Sequence, residues 1–293
     1  RAHAGVASVN WLLTSYDHSL DRDTYYERAE ASAKFALEID PDSTEALGAL
    51  ASIASKRNEV EKAANLFDQI RAIGGSNSDV LSWEATLHIR LGYFEEMITS
   101  LTRMYARDPL NEHIAWALAD VLIYSGHPER AIEVLAEIQY FTHRDYYLAL
   151  ASIYTGDYET ARGLLRDVQM RSGQLPAAYA DLLVDALEDP VRKEEVAGIF
   201  VSASENNELE KLVSFESLLM LGSSRAFDLG IDPVNDVKNT QVHAQIWINW
   251  AVEFRQDPRF KDWVGQLGFV EFWREFGWPD RCRPTGLDDF ECI

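Results

Sequence analysis

The sequence predicts an all-α protein, a solenoid of paired amphipathic helices closed by a Trp-rich helical cap. Three observations carry this expectation. Small or turn-forming residues recur every 34 positions along the first half of the 293-residue chain. Apolar residues on both sides of these turns repeat at three- and four-residue steps, the spacing of one helix face. Five of the eight tryptophans fall between positions 247 and 278, so the aromatic mass is concentrated at one end.

Asn58, Gly92 and Gly126 stand 34 residues apart, as do Ala29, Ala63, Met97 and Ala131. So do Ala33, Phe67, Leu101 and Leu135, and Ala36, Ile70, Met104 and Ile138. A fifth unit follows at a step of 30, with Gly156, Ala161, Leu165 and Val168. Several columns in one register identify an internal repeat. In the unit spanning 78–109, Gly92 suits the point where the first helix stops in a left-handed cap. Pro109 ends the second helix for want of an amide hydrogen, as Asp40-Pro41 does earlier. Ala63 and Ala131 let the helices of a pair approach closely, and the bulkier Met97 is expected to loosen its unit. The first unit is irregular, because its connection SYDHSLDRDT (15–24) is long and polar.

Beyond Gly173 the period fades but helical patterning continues at 177–187, 191–203 and 208–222. RAFDLGI (225–231) reads as one more short second helix, and NDVKNTQ (235–241) as a loop. The expected organisation is a repeat array over 1–172, degenerate helical repeats over 173–240 and a capping module over 241–293. In the last, Trp247, Trp250, Trp263, Trp273 and Trp278 join Phe254, Phe260, Phe269, Phe272, Phe276 and Phe290. Their helical spacing favours a packed core on the end of the array. The sharper alternative is an aromatic cage for a small ligand.

These columns, with ALEIDP (36–41) ending a second helix, resemble tetratricopeptide repeats over about residues 1 to 172. The resemblance implies a right-handed α-solenoid whose first helices line a groove for a protein or peptide partner. Mapped onto this chain, the groove positions are Ser52, Lys56, Ser82, Thr86, Arg90, His113, Trp116, Asp120 and Tyr146. Trp116 is either an anchor for a partner segment or a side chain packed between helices. The Lys/Asn clamp of some family members is absent, because Gly48 and Ser52 occupy two of its places.

The closing segment adds a second resemblance. Asp257-Pro258-Arg259-Phe260, Leu267-Gly268, Phe272-Trp273-Arg274 and Gly277-Trp278-Pro279-Asp280 with Cys282 are similar to the end of tetratricopeptide domains in membrane-anchored bacterial signalling proteins. There a nucleotide cyclase or winged-helix domain and a membrane helix precede the array. The implied role is a non-enzymatic sensory or interaction domain in the periplasm. The alternatives are a free-standing cytosolic scaffold, or a small-ligand sensor using the aromatic module.

Composition constrains the partners. With 27 basic against 48 acidic residues the net charge is −21. Such a surface disfavours nucleic acid and anionic lipid and favours a basic protein or peptide. No apolar run reaches the roughly 18 residues a membrane helix needs. The opening RAHAGVASVNW lacks an initiator Met and starts inside a helical pattern. A segment of a longer or processed chain is the expectation, with a boundary chosen for convenience equally compatible.

No catalytic constellation is legible, and no cofactor is expected. The seven histidines (3, 18, 88, 113, 127, 143 and 243) form neither an HExxH motif nor an i,i+4 pair. Asp280, Asp288, Asp289 and Glu291 lack the spacing of a calcium loop, so no metal site is assigned. Gly74-Gly75 reads as a turn rather than a phosphate cradle. Glu95-Glu96 and Glu194-Glu195 read as acidic residues complementing helix N-termini. The only two cysteines, Cys282 and Cys292, flank the turn material PTG (284–286). A disulfide between them, favoured in part by the resemblance, would pin the C-terminus and place the chain in an oxidising compartment. Two free buried thiols are the cytosolic alternative.

Overall fold

The computed structural model describes residues 1–16, 20–74, 78–138, 144–172, 175–236 and 242–293. Residues 17–19 of the first connection, Gly75, Gly173 and 237–241 of the expected loop lie outside these, as does the side chain of Val168. The fold is all-α, as the register predicted. Helices follow one another in pairs: α1 (Ala2–Tyr16) and α2 (Arg22–Ile39), α3 (Thr44–Lys56) and α4 (Val60–Ile73), α5 (Ser78–Leu91) and α6 (Glu95–Arg107). Then come α7 (Glu112–Tyr124) and α8 (Pro128–Ala136), α9 (Arg144–Thr155) and α10 (Tyr158–Ser172), and α11 (Ala177–Glu188) and α12 (Lys193–Glu205). α13 (Lys211–Met220) is followed by a 3-10 turn, Ser224–Leu229, where a second helix was expected. Short helices α14 (Val242–Gln245), α15 (Val252–Gln256), α16 (Arg259–Gln266) and α17 (Phe269–Phe276) precede a hairpin of β1 (Cys282–Pro284) and β2 (Phe290–Cys292). Among the described residues no helix is long and apolar enough to cross a membrane.

The turn column explains the pairing. Asn58, Gly92, Gly126 and Gly156 all hold left-handed backbone, with φ of 60°, 90°, 85° and 78°. After three of them the next amide donates to a carbonyl five residues back: Glu59 to Ala54 at 2.9 Å, His127 to Leu122 at 2.8 Å and Asp157 to Ser152 at 2.9 Å. These bonds satisfy carbonyls that a helix end would otherwise leave open. The other columns form the core. Ala29, Ala63, Met97, Ala131 and Ala161 are buried, as are Ala33, Phe67, Leu101, Leu135 and Leu165.

The chain divides into two compact units, residues 1–88 with 267–277, and residues 89–266 with 278–293. A repeat array packs through neighbour contacts and carries no seam that periodicity would mark. Within the C-terminal segment, α17 belongs to the first unit and α14–α16 and the hairpin to the second.

In the first unit, small residues bring α1, α2 and α3 together around Ala4, Ala7, Ala29, Ala33, Ala46 and Ala49. Trp11 closes this core, edge-on to Trp83 at 5.1 Å. α17 lies against α4, with Phe269 and Trp273 buried. In the second unit, α15 and α16 bring Phe254 and Trp263 onto Phe215 of α13, with Phe260 edge-on to Phe254. Phe227 of the 3-10 turn stacks on Phe254 at 4.1 Å, and the Arg259 guanidinium sits 4.9 Å from the Phe227 ring.

Candidate functional site

The groove positions were assigned to the first helices of successive pairs. In the first unit they are Ser52, Lys56, Ser82 and Thr86. Ser52 and Ser82 are buried, and three of the four bond their own helix: Ser52 Oγ donates to Gly48 O at 2.9 Å, Ser82 Oγ to Asp79 O at 2.7 Å and Thr86 Oγ1 to Ser82 O at 3.0 Å. Such back-bonding satisfies a hydroxyl without a partner molecule. Lys56 and Thr86 remain partly accessible.

In the second unit two of the five assigned positions, Arg90 and Tyr146, are met by the chain's own C-terminal segment. Arg90, only 5% exposed, places Nη2 3.0 Å from His243 Nδ1. Arginine only donates, so this nitrogen accepts and His243 Nε2–H donates to Pro233 O at 3.2 Å. Gln245 Nε2 donates to Tyr146 Oη at 3.1 Å. Trp247 Nε1 donates to Arg90 O at 2.9 Å, and the Asn249 amide donates to Tyr154 Oη at 2.7 Å. Trp250 stacks on Tyr154 at 4.1 Å. Gly92 makes this seat possible, since a Cβ there would stand 3.0 Å from the Trp247 ring and 3.1 Å from Pro279.

A second strap, 278–281, arrives at the same turn. Asp280 Oδ2 accepts from the amides of Phe94 at 2.5 Å and Glu95 at 3.0 Å. A carboxylate thus caps α6 at the end where its dipole is positive. Arg281 donates to Tyr124 O and Asn249 Oδ1. The disulfide Cys282–Cys292, with sulfurs 2.02 Å apart, closes the hairpin directly behind this strap. Arg255 ties both straps together, donating from Nε to Ile293 O at 2.7 Å and from Nη1 to Ile246 O at 2.7 Å and Ile248 O at 2.9 Å. It is buried, and desolvation pulls its pKa down to about 9. An open partner groove was expected at Arg90, Asp120 and Tyr146. Arg90 and Asp120 are instead buried and Tyr146 is half-buried, with Arg90 and Tyr146 bonded to the aromatic segment.

Beneath the segment lies a buried polar cluster. Asp120 is 2% exposed, and burial pushes its carboxyl up to about 8 against a hydrogen bond from Tyr147. Glu216 of α13 is pushed up to about 7 by desolvation, against a hydrogen bond from Gln245. Tyr146 is raised by its burial and by both carboxyls. Trp116 is half-buried, with its ring edge-on to that of Tyr147 at 6.5 Å between centroids, so it packs against α9. His113 is exposed at the start of α7. Sequence reasoning found Asp120 and Tyr146 but missed Tyr147, Glu216, Gln245, His243 and Arg255. Glu216 had a signal, a carboxylate inside the apolar run LVSFESLLML.

The tryptophans bear on the cage alternative. Trp247, Trp263 and Trp273 are buried at 0%, 4% and 0% exposure, which is the packing of core residues. Trp250 and Trp278 are half-buried, on Tyr154 and Phe290.

No curated protein matches the chain. Residues 25–87 match the family described as tetratricopeptide repeat. That segment runs from α2 through most of α5, and its helix pairs, left-handed turns and buried Ala columns make it similar to tetratricopeptide repeats in structure as well as sequence.

Proposed function

We propose that this chain is a non-enzymatic scaffold that binds a protein or peptide, serving as the periplasmic sensory or interaction domain of a membrane-anchored bacterial signalling protein. The observation that carries the binding role is the tetratricopeptide match at 25–87, because such helix pairs recognise partners through surface rather than chemistry. The Cys282–Cys292 disulfide supports an oxidising compartment. The resemblance of the closing segment to signalling proteins supports the rest. Of the nine groove positions, Lys56 and Thr86 in the first unit and His113, Trp116 and Tyr146 in the second are at least partly accessible. The net charge of −21 favours a basic one.

Panning the folded chain against a random peptide library tests the binding role, with a selected peptide then titrated calorimetrically. The expected peptide is Lys- or Arg-rich and saturable, and Lys56→Glu or His113→Glu changes its affinity by about tenfold. Failure to enrich any sequence, or an affinity indifferent to Lys56, Thr86 and His113, overturns the assignment. Alkylation of thiols in intact cells of the source tests the compartment. Two free thiols per chain would favour the competing reading, a cytosolic scaffold of the same fold.

A further inference from the structure

In a chain of net charge −21, two arginines of the second unit find their partners elsewhere than on acids. Arg255 is 3% exposed. Its Nε and Nη1 donate to the oxygens of Ile293, Ile246 and Ile248, and its buried Nη2 has no hydrogen-bond partner among the described residues. Arg281, half-buried, donates to Tyr124 O and Asn249 Oδ1. None of these acceptors is a side-chain carboxylate. Burial lowers the Arg281 pKa against the pull of Tyr154 and Asp280, but the Asp280 Oδ2 is engaged by the Phe94 and Glu95 amides. The Phe94 ring, 5.8 Å from the Arg281 guanidinium, adds a weak compensation. Arg255 has no such relief, since desolvation and the Arg281 charge both disfavour its protonated form.

Residues 248 and 249 gather this pair with a third donor. The Ile248 carbonyl takes Arg255 and the Asn249 side chain takes Arg281. The Asn249 amide donates to Tyr154 Oη at 2.7 Å, which leaves the Tyr154 O–H itself to donate. Burial raises the Tyr154 pKa, while that amide and the charges of Arg281 and Arg255 pull it back, so the hydroxyl lies within the field of both guanidiniums. The cluster therefore offers donors and positive charge in a buried place, where an uncompensated charge is costly. Such a setting selects a ligand that only accepts and is negative. Enclosure at Arg255 limits it to the smallest class, a single monatomic anion.

We propose that Arg255, Arg281 and Tyr154 bind one halide ion, chloride under ordinary conditions, which neutralises the buried pair and fastens the straps 242–250 and 278–281 to the second unit. Thermal unfolding of the intact chain tests it, with chloride exchanged for gluconate at constant sodium and ionic strength. Gluconate is too bulky for an enclosed site, and fixed ionic strength removes general screening from the comparison. Between about 1 and 150 mM chloride the midpoint should rise by about 2–5 °C, with the logarithmic dependence of a ligand that only the folded chain binds. Bromide should replace chloride.

Arg255→Gln should abolish the chloride response. Tyr154→Phe is the milder change, since it keeps the ring that stacks on Trp250, and it should weaken chloride about tenfold by removing one donor. Crystals grown in sodium bromide give an independent answer, with an anomalous peak expected beside Arg255 Nη2. A midpoint indifferent to chloride overturns the proposal, because a buried water or a carboxylate of the chain would then satisfy Arg255. So does a response undiminished in both variants, or a bromide crystal with no anomalous peak at Arg255.

Discussion

At the residue scale, Asp120 and Glu216 set the pH response. Both carboxyls lie in a cluster of tyrosines with desolvation as the dominant influence, raising them to about 8 and about 7. A raised acid contributes stability that is fully present below its unfolded pKa and is lost as pH rises through the folded value. For Asp120 the loss runs from about pH 4 to pH 8, and for Glu216 from about pH 4.5 to pH 7. The surface acids Asp181 and Asp257 are shifted the other way, chiefly by hydrogen bonds from Arg166 and Arg259. Their contribution is lost only as pH falls below the usual carboxylate range. Stability is therefore expected to peak near pH 5 and decline toward pH 8. Denaturant titrations of wild type and Asp120→Asn check this, the variant losing part of the slope between pH 5 and pH 8. An unchanged slope would remove Asp120 as its source. Gly222 gives a second prediction at this scale. Its φ is 68°, and a Cβ would stand 2.2 Å from Trp250 O. Gly222→Ala should cost more than about 2 kcal/mol, from left-handed strain plus a backbone clash, read as a lowered unfolding midpoint.

At the element scale, the straps across the second unit depend on a cap and a crosslink. Asp280→Ala removes the acceptor for two α6 amides and should cost about 1 kcal/mol. Asp280→Asn should recover most of that, because an amide oxygen still accepts. Replacing Cys282 and Cys292 by Ser opens a loop of sequence separation 10, worth about 3 kcal/mol on the chain-entropy model. Faster hydrogen exchange should follow at Ile293 and Cys282, whose amides bond Arg281 O and Pro279 O. The helix pairs were legible because each leaves a local mark, a small turn residue and apolar columns at fixed offsets. The 3-10 turn at 224–229 was not, since RAFDLGI has a helical apolar pattern but Gly230 stops it in left-handed backbone, at φ 59°. The seat of the C-terminal straps was also invisible. Trp247 meets Arg90 across a sequence separation of 157, and no periodicity encodes so distant a pairing. Gly92 was read correctly as a turn, but its second role, leaving room for Trp247, belongs to that same distant contact.

At the scale of the whole molecule, the excess of 48 acidic over 27 basic residues opposes compaction. Local ion pairs relieve part of this: Arg162 lies 2.8 Å from Asp185, and Arg259 reaches Asp228 at 3.1 Å and Asp257 at 2.8 Å. These pairs lie at the surface, with side chains ranging from 14% to 50% exposed, and such pairs are worth about 0–1 kcal/mol each. Salt weakens both the pairs and the general repulsion, so the sign of its effect shows which dominates. With nearly two acids per base, bases are too few to pair every carboxylate, and repulsion is expected to outweigh attraction. Raising sodium gluconate from about 10 to 300 mM shortens the screening length from about 30 Å to less than 10 Å. The unfolding temperature at pH 7.5 should therefore rise by a few degrees. Near pH 5, close to the isoelectric point of about 4.7, the repulsion is largely titrated away and the same salt should leave the midpoint flat or slightly lower. A rise of equal size at both pH values would point to preferential exclusion of the salt rather than screening. A fall at pH 7.5 would mean that the ion pairs outweigh the net charge.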